Sequence, residues 1–309
     1  MSTVIVGTVA FDKIETPFGK TDKILGGAAT FISLTASQFA DDVHIVSVVG
    51  GDFPEEYINL LSQRGVNTDG LQVKPEGKSF YWSGKYHTDM NTRDTLVTEL
   101  NVLADFDPLL PPNCLDPEFV VLGNLTPSVQ MRVLDQLTKR PKLIVMDTMN
   151  YWMDSAWDDL MKVIARVDVL RVNDSEARQL TGEFSLVKAA QKILTMGPKY
   201  LVIKKGEHGA LLFHKESIFF APALPLEEVF DPTGAGDTFA GGFIGHLAST
   251  GDISFNNMKN AIIYGSAVAS FTVEKFGTEG LLNLTKEEIE NRLKLFVDLV
   301  QFDISLVNS

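Results

Sequence analysis

The stretch of sequence with the strongest chemical character runs from residue 230 to residue 243 and reads FDPTGAGDTFAGGF. A proline and a threonine suit the start of a helix, and Gly234, Ala235 and Gly236 then give a first turn with almost no side chains. The backbone N–H groups of such a turn, with the positive end of the helix dipole, can hold an anion. A carboxylate at Asp237 would repel a phosphate that is held there. Its presence is explained if it takes a proton from a nucleophilic hydroxyl. The stretch therefore indicates an anion hole beside a general base.

A structural interpretation of the same residues stays open. Asp237 can instead complement the helix dipole, and the glycines can allow neighbouring helices to pack closely. On local evidence alone the two interpretations are about equally supported.

The elements that must position this turn follow from the hydrophobic pattern. Short aliphatic runs alternate with stretches in which apolar residues return every three or four positions, as in strands and helices respectively. Continuously apolar strands are typical of a sheet that is covered on both faces, so the chain predicts an α/β fold with a parallel sheet. The predicted strands are 4–9, 43–49, 119–123, 143–147, 168–172, 200–204 and 210–214, and the predicted helices are 28–39, 54–64, 128–138, 155–165, 176–180, 186–196, 237–248, 256–272 and 286–300.

Two segments interrupt this alternation, residues 12–23 and 71–103, which carry polar, aromatic and β-branched residues without helical periodicity. They are predicted to form a small β-rich lid over one edge of a core made of residues 1–11, 24–70 and 104–309. Phe80, Trp82 and Tyr86 in the second segment either fill the interior of the lid or form a stacking wall for a substrate, and the first interpretation is slightly favoured.

Composition excludes several classes of function. The net charge of -13 opposes binding to nucleic acid or to an anionic membrane, and a single cysteine, Cys114, indicates a reducing, cytoplasmic location. The five histidines lack metal-ligand spacing. Gly19-Lys20-Thr21 resembles the end of a P-loop, but Ile14 stands where that motif needs glycine.

Residues 231–243 resemble the C-terminal signature of the ribokinase-like, or PfkB-type, carbohydrate kinases, and the similarity runs over nearly the full chain. The other similar segments, in the order and spacing of that family, are VG to Asp12 after the first strand, GGAA at 26–29, VGGDF at 49–53, NDSE at 173–176, KGEHGA at 205–210 and GTEG at 277–280. The resemblance implies a three-layer α/β/α sandwich with a mostly parallel sheet and a β-rich lid.

The resemblance also implies a role for each matching residue. Asp237 would be the general base on the acceptor hydroxyl, and the amides of Gly234, Ala235 and Gly236 would hold the transferring γ-phosphoryl group. Asp12, Gly26, Gly27, Phe31 and Asp52 would lie on the acceptor side, and Asn173, Glu176, Lys205, Gly206, Gly209 and Gly277 on the ATP side. Glu176 would help to bind Mg²⁺, and Asp231 with Thr233 a monovalent cation such as K⁺.

Several of these positions also have a structural interpretation. Gly26 and Gly27 can be a helix start that needs unusual dihedral angles, and Asp12 can cap a turn. Asn173 and Glu176 match a helix N-cap with an acid in the first turn.

One position departs from the family pattern. Phe31 stands where the family commonly has an asparagine that bonds the sugar, and a phenylalanine can make no such bond. The acceptor is then bound through fewer hydroxyl contacts or carries an apolar ring such as a nucleobase, which leaves sugars and nucleosides both open. Lys23, Lys85 and Arg93 are candidate cations for a sugar phosphate.

These observations predict an ATP- and magnesium-dependent sugar kinase that phosphorylates a primary hydroxyl of a small carbohydrate under a lid that excludes water, with a nucleoside as the alternative acceptor. A homodimer is expected from the resemblance. One alternative is a sugar or nucleoside sensor that keeps the fold without turnover. The other, an NAD-dependent oxidoreductase, lacks the glycine pattern after the first strand.

Overall fold

The aliphatic strand residues are buried on both sides of a central sheet. In the computed structural model, which describes residues 1–301, Ile5 and Ile45 contribute to a core on one face of the sheet, and Val4 and Val46 to a core on the other. Alternating side chains of the same strand therefore enter two separate apolar layers, as expected for strands that are covered by helices on both faces.

The helices and strands have the following bounds. The strands are β1 Thr3–Val6, β2 Ala10–Thr16, β3 Gly19–Lys20, β4 Ile24–Gly26, β5 Val43–Gly50, β6 Val66–Lys74, β7 Tyr81–Tyr86, β8 Arg93–Glu99, β9 Phe119–Leu122, β10 Leu143–Asp147, β11 Val169–Asn173, β12 Tyr200–Lys204, β13 Ala210–His214 and β14 Ser217–Ala221. The helices are α1 Ala28–Ala36, α2 Glu55–Gln63, α3 Pro127–Gln136, α4 Asn150–Ser155, α5 Trp157–Ile164, α6 Asp174–Thr181, α7 Leu186–Leu194, α8 Ala235–Thr250, α9 Phe255–Val273, α10 Glu279–Leu282 and α11 Lys286–Val300.

The large sheet has the strand order β14-β13-β12-β11-β10-β9-β1-β5-β6. It is parallel from β12 to β6, and only β13 and β14 run antiparallel. Helices α1, α8 and α9 contribute to the core on one face, and α3, α5, α6 and α7 to the core on the other. The predicted three-layer α/β/α sandwich with a mostly parallel sheet is confirmed.

Helix α8 lies between α1 and α9, and glycines make this close packing possible. A Cβ atom on Gly241 would come within 2.5 Å of the Ile32 carbonyl oxygen in α1. On the other side, a Cβ on Gly242 would come within 2.9 Å of the Gly265 Cα in α9. The position of α8 in the core is therefore fixed by backbone-to-backbone contact.

A second, smaller sheet has the order β3-β2-β7-β8, with β4 paired to β2. Its strands lie in the two segments expected to form the lid, but the expected boundaries need correction. Strand β6 continues through residue 71 to Lys74, which still pairs with Gly50 of the large sheet. At the other boundaries, β2 begins at Ala10 and β4 ends at Gly26, because these two strands pair with each other. The sequence placed residues 10, 11 and 24–26 in the core and residues 71–74 in the lid, because pairing across a sheet is not visible in local periodicity.

None of the helices within residues 1–301 has the length and apolar character needed to cross a membrane.

The packing of α8 leads to a stability prediction. Gly242→Ala should lower the free energy of unfolding by about 1–3 kcal/mol, because the new methyl group has to push α8 away from α9. Urea unfolding followed by circular dichroism measures the change. The control is Ser249→Ala at the exposed end of the same helix, which should stay within about 0.5 kcal/mol of wild type. Equal stabilities for the two variants would contradict the packing argument.

Candidate active site

The polar residues singled out from the sequence gather at the carboxyl edge of the large sheet. Strands β10, β11 and β12 end there at Asp147, Asn173 and Lys204. Strand β1 pairs with β5 on one side and with β9 on the other, so the chain order reverses beside β1. In open parallel sheets, ligands bind at such a reversal, outside the carboxyl ends of the strands.

The first turn of α8 projects over this edge and has an unusual backbone. Gly234 immediately precedes the helix with φ +76°, a left-handed conformation that favours glycine. A side chain at this position would also meet the ring of Phe31 at 2.5 Å. Phe31 is 1% exposed, so its ring supports the turn from below. Phe31 was expected on the acceptor side, and the structure shows its ring buried in the core directly beneath this turn.

The amides of this turn are partly available for an anion. The Ala235 amide donates to the Pro232 carbonyl at 3.2 Å, which removes it from the expected anion hole. Within the described part of the chain, the amides of Gly234, Gly236 and Asp237 have no acceptor. These are the N-terminal donors that an α-helix leaves unpaired. The unpaired donors of this turn are thus Gly234, Gly236 and Asp237, with the Asp237 amide in place of the Ala235 amide that the sequence suggested.

A buried arginine holds the turn from beneath. Arg171 of β11 is 0% exposed and donates from Nη2 to the Gly236 carbonyl at 2.5 Å. The same nitrogen lies 3.4 Å from Asp147 Oδ2. Arg171 Nε, Arg171 Nη1 and Asp147 Oδ1 are buried without a hydrogen-bond partner in the described residues. Sequence reasoning missed Arg171, although a charged residue inside an apolar strand was a visible signal, because charges are rarely buried without a specific partner.

Asp237 has the electrostatics of a proton acceptor. The pKa of its carboxyl is raised to about 6, mainly by burial and in addition by the nearby charge of Asp147. Lys204, Arg171 and Arg93 act in the opposite direction. A carboxylate whose pKa lies close to neutrality is well suited to take a proton from an alcohol as a bond forms.

Asp12 lies beside Gly26 and Gly27 and is 6% exposed. A Cβ on Gly26 would meet Asp12 Oδ2 at 2.0 Å, so only glycine leaves room for this carboxyl. Burial raises the pKa of Asp12 to about 7, against the effect of a hydrogen bond from the Gly27 backbone. The charges of Asp231 and Asp237 raise it as well, so Asp12 belongs to the same electrostatic cluster.

Asp231 has the contacts of a structural clamp. It is 0% exposed, and its two carboxylate oxygens accept from the Thr233 and Gly277 amides, each at 2.8 Å. The clamp ties the Gly277 loop to the start of α8. Thr233 in turn donates from its hydroxyl to Tyr86 on the small sheet at 3.2 Å.

Asn173 and Glu176 form the capping box that local sequence allowed. Asn173 Oδ1 accepts from the Glu176 amide at 2.8 Å, and Glu176 Oε2 accepts from the Asn173 amide at 2.6 Å. Burial raises the pKa of Glu176, and Lys204 acts to lower it. The capping bonds use one oxygen of each side chain, which leaves Glu176 Oε1 for another partner.

The expected nucleotide-side glycines lie in tight turns. Gly206 and Gly277 have φ of +56° and +54°. Gly209 has a structural role, because a Cβ there would lie 2.0 Å from the Ala221 carbonyl. Lys205 donates its amide to the Gly209 carbonyl at 2.8 Å and so closes the same turn.

Asp52 binds the loop that leads into the small sheet. Its Oδ1 accepts from the Ser79 amide at 2.7 Å and from the Ser79 hydroxyl at 2.8 Å. The side chain therefore fastens the loop after β5 to the segment that leads into β7.

The three candidate cations of the small sheet differ in their surroundings. Lys85 pairs with Glu15 at 2.8 Å, and Lys23 Nζ lies 4.5 Å from the centre of the Tyr81 ring. Only the charge of Arg93 acts on Asp12, Glu176 and Asp237. Arg93 is thus the residue of the small sheet that faces the site.

A turn with free amides, a carboxylate base and a second carboxylate with a free oxygen together define a class of protein. They can hold a transferring phosphoryl group, activate a hydroxyl and share a magnesium ion with phosphate oxygens, which are the parts of a small-molecule kinase.

Comparisons identify the family. The pattern of the pfkB family carbohydrate kinases matches residues 8–284, and the chain belongs to this family. It is 32% identical over 248 residues to the cytidine kinase of Thermococcus kodakarensis, covering 79% of this chain and 87% of that protein. It is 26% identical to the nucleoside kinase of Methanothermobacter thermautotrophicus, covering 92% and 93%. A solved structure of the Burkholderia thailandensis nucleoside kinase with inosine superimposes with a TM-score of 0.76 at 20% identity, covering 96% and 99%. The protein is an ATP-dependent phosphotransferase that acts on a small molecule.

Arg171 provides a test of how the site is held. Arg171→Met should lower the free energy of unfolding by about 3 kcal/mol, because Asp147 would remain buried without its cation. Adding Asp147→Asn should recover part of the loss, as measured by denaturant unfolding of the two single variants and the double variant. If the losses simply added, Arg171 and Asp147 would not form a coupled pair.

Proposed function

We propose that this protein is a nucleoside kinase that transfers the γ-phosphoryl group of ATP to the primary hydroxyl of a ribonucleoside. The observation that carries the proposal is the pairing of a buried carboxyl with an aromatic plane. Asp12 of β2 and Trp82 of β7 are register partners in parallel strands, so their side chains project from the same face of the small sheet. The 32% identity to a cytidine kinase supports the same choice.

Trp82 has the environment of a stacking surface. Its indole lies over Gly84, where it fills the space that a Cβ would take, at 2.1 Å from that position. Trp82 remains partly exposed, whereas Tyr86 on the same face is 4% exposed and contacts Thr233. A flat indole can stack on a base while Asp12 accepts hydrogen bonds from the ribose hydroxyls.

The chemistry follows from the first turn of α8. Asp237 takes the proton of the primary hydroxyl, and the oxygen then attacks the γ-phosphorus as the bond to the β-phosphate breaks. The amides of Gly234, Gly236 and Asp237 stabilise the negative charge on the transferred group. The small sheet acts as a lid that keeps water from competing for the phosphoryl group.

The donor set fits magnesium. No group of three or more metal-binding side chains occurs within residues 1–301, so the protein alone does not enclose an ion. Mg²⁺ commonly binds one or two carboxylates together with nucleotide phosphates and water. Glu176 Oε1 is the carboxylate oxygen that would hold it. When bound, the ion neutralises charge on the phosphates.

A panel of acceptors tests the proposal. ADP release with MgATP should be fastest with ribonucleosides, with cytidine and inosine tried first, and slow with free ribose and fructose 6-phosphate. Asp237→Asn should reduce kcat at least 100-fold while ATP affinity changes little, because the amides are retained. Turnover with a free sugar and with none of the nucleosides would show that the acceptor is a sugar and would contradict the nucleoside proposal. Thermal stabilisation by nucleosides without turnover would favour the sensor.

The raised pKa values predict a pH dependence with a definite sign. Asp237 must be ionised to accept a proton, so kcat should fall as the pH drops through about 6. Asp12 has a pKa of about 7, so its protonation should lower kcat/KM for the acceptor. This fall should begin at a higher pH than the fall in kcat. Initial rates between pH 5 and pH 9 measure both profiles. Constant rates down to pH 5 would contradict the role of Asp237.

Trp82 provides a test of acceptor class. Trp82→Ala should raise KM for the nucleoside about 10-fold and leave KM for ATP unchanged, because base stacking on an aromatic ring contributes about 1–3 kcal/mol. Trp82→Phe should retain most of the affinity. Trp157→Ala, a partly exposed tryptophan on α5, is the control. A rise in both KM values would indicate a general defect of the lid.

Other parts of the proposal concern assembly, location and K⁺. Strand β8 is an exposed edge that bears Leu96 at 55% exposure and Val97 at 38%, which supports a homodimer through the small sheets. A cytoplasmic location suits an ATP-consuming enzyme with one buried cysteine.

The contacts of Asp231 give K⁺ little support, since backbone amides occupy both oxygens; replacing K⁺ by tetramethylammonium in the assay tests it.

A further inference from the structure

Lys204 is the charged residue at the carboxyl edge of the sheet that the chemistry above leaves without a role. It is the last residue of β12 and pairs in register with Asn173, the N-cap of α6. Its Nζ lies 3.3 Å from the position that a Cβ on Gly236 would take. The ammonium group therefore lies against the turn whose amides are free.

The surroundings of this ammonium group contain charge but no partner. Its field lowers the pKa of both Glu176 and Asp237, so it lies near each carboxylate. Across the described chain, however, it takes part in none of the ion pairs that engage other lysines such as Lys85, Lys139, Lys162 and Lys199. Lys204 is also only partly exposed, which limits how well water can solvate it. A partly desolvated cation without a carboxylate partner is poised to bind an anionic ligand.

The charge balance of the site points the same way. Asp12, Asp147, Asp237 and Glu176 would all repel a nucleotide, and Arg171 is buried with its charge directed to Asp147 and the Gly236 carbonyl. We propose, on the basis of the kinase function above, that Lys204 binds the terminal phosphoryl group of ATP and follows it during transfer. The first turn of α8 then supplies neutral donors to this group, and Lys204 supplies the permanent positive charge.

This placement makes Lys204 specific for the third phosphate. Nζ lies close to the turn at Gly236, where the transferred group would be held, and ADP has no phosphoryl group to reach that position. A lysine that served only to neutralise Glu176 and Asp237 would help ADP and ATP alike.

Nucleotide binding measured by calorimetry tests the proposal without turnover. Lys204→Met should weaken a non-hydrolysable ATP analogue about 10- to 100-fold and change MgADP affinity by less than about 2-fold, because a charge-assisted hydrogen bond is lost. Lys204→Arg should recover part of the affinity. Lys199→Met, which removes an exposed lysine just before the same strand, should match wild type. Thermal unfolding of each variant reports whether it is folded.

The outcomes separate this proposal from the kinase function. Equal weakening of ADP and the analogue, or unchanged binding of both by Lys204→Met, would overturn the contact with the terminal phosphoryl group while leaving the kinase intact. Failure of the wild-type protein to bind either nucleotide would reject both the kinase function and the role of Lys204.

Discussion

The structure depends on one constraint, which is that the first turn of α8 must be held rigidly while its own amides stay unpaired. Three contacts from outside the helix satisfy it. The Phe31 ring fills the space below Gly234, Arg171 binds the Gly236 carbonyl, and Asp231 ties the preceding residues to the Gly277 loop. None of them uses the Gly234, Gly236 or Asp237 amides. The donors are therefore preorganised for an anion, so that little reorganisation is needed when charge develops.

The second feature of the site is its concentration of buried carboxyl groups. Burial raises the pKa of Asp12, Glu176 and Asp237, and the charge of at least one neighbouring aspartate adds to it for each of them. This arrangement costs folding free energy, since carboxylates are more stable in water. The chemistry requires it, because a proton acceptor for an alcohol needs a pKa well above that of an ordinary aspartate. Three cations on different elements, Arg93, Arg171 and Lys204, favour the ionised form of these carboxyl groups.

Much of the fold could be predicted from the sequence, because continuous apolar strands and helical periodicity are local signals. Apolar strands, such as those that contain Ile144 and Leu170, alternate with helical stretches along the chain. This alternation was enough to indicate a parallel sheet between helical layers. The lid boundaries were less certain, because β2 and β4 pair across a turn that periodicity does not reveal. The motif from Asp231 to Asp237 indicated the anion site, although the local sequence left a purely structural role for the same glycines and acid equally open.

The residues missed or misplaced are those whose role depends on tertiary contact. Phe31 was expected on the acceptor side, and its contact beneath Gly234 was not foreseen, because only the meeting of α1 with α8 determines it. Arg171 and Lys204 lie on neighbouring strands and reach the same turn, and nothing in either strand alone indicates it. Lys205 was expected on the ATP side because it belongs to the motif at residues 205–210. The strand register shows that Lys204 pairs with Asn173, beside the site.

The most direct test of the account is a crystal structure of the protein with MgADP, aluminium fluoride and a nucleoside that it phosphorylates. The account predicts that the planar fluoride lies within hydrogen-bond distance of the Gly234, Gly236 and Asp237 amides. It also predicts that the Asp237 carboxylate contacts the primary hydroxyl of the nucleoside. A fluoride bound away from this turn, or a hydroxyl that contacts a base other than Asp237, would contradict it.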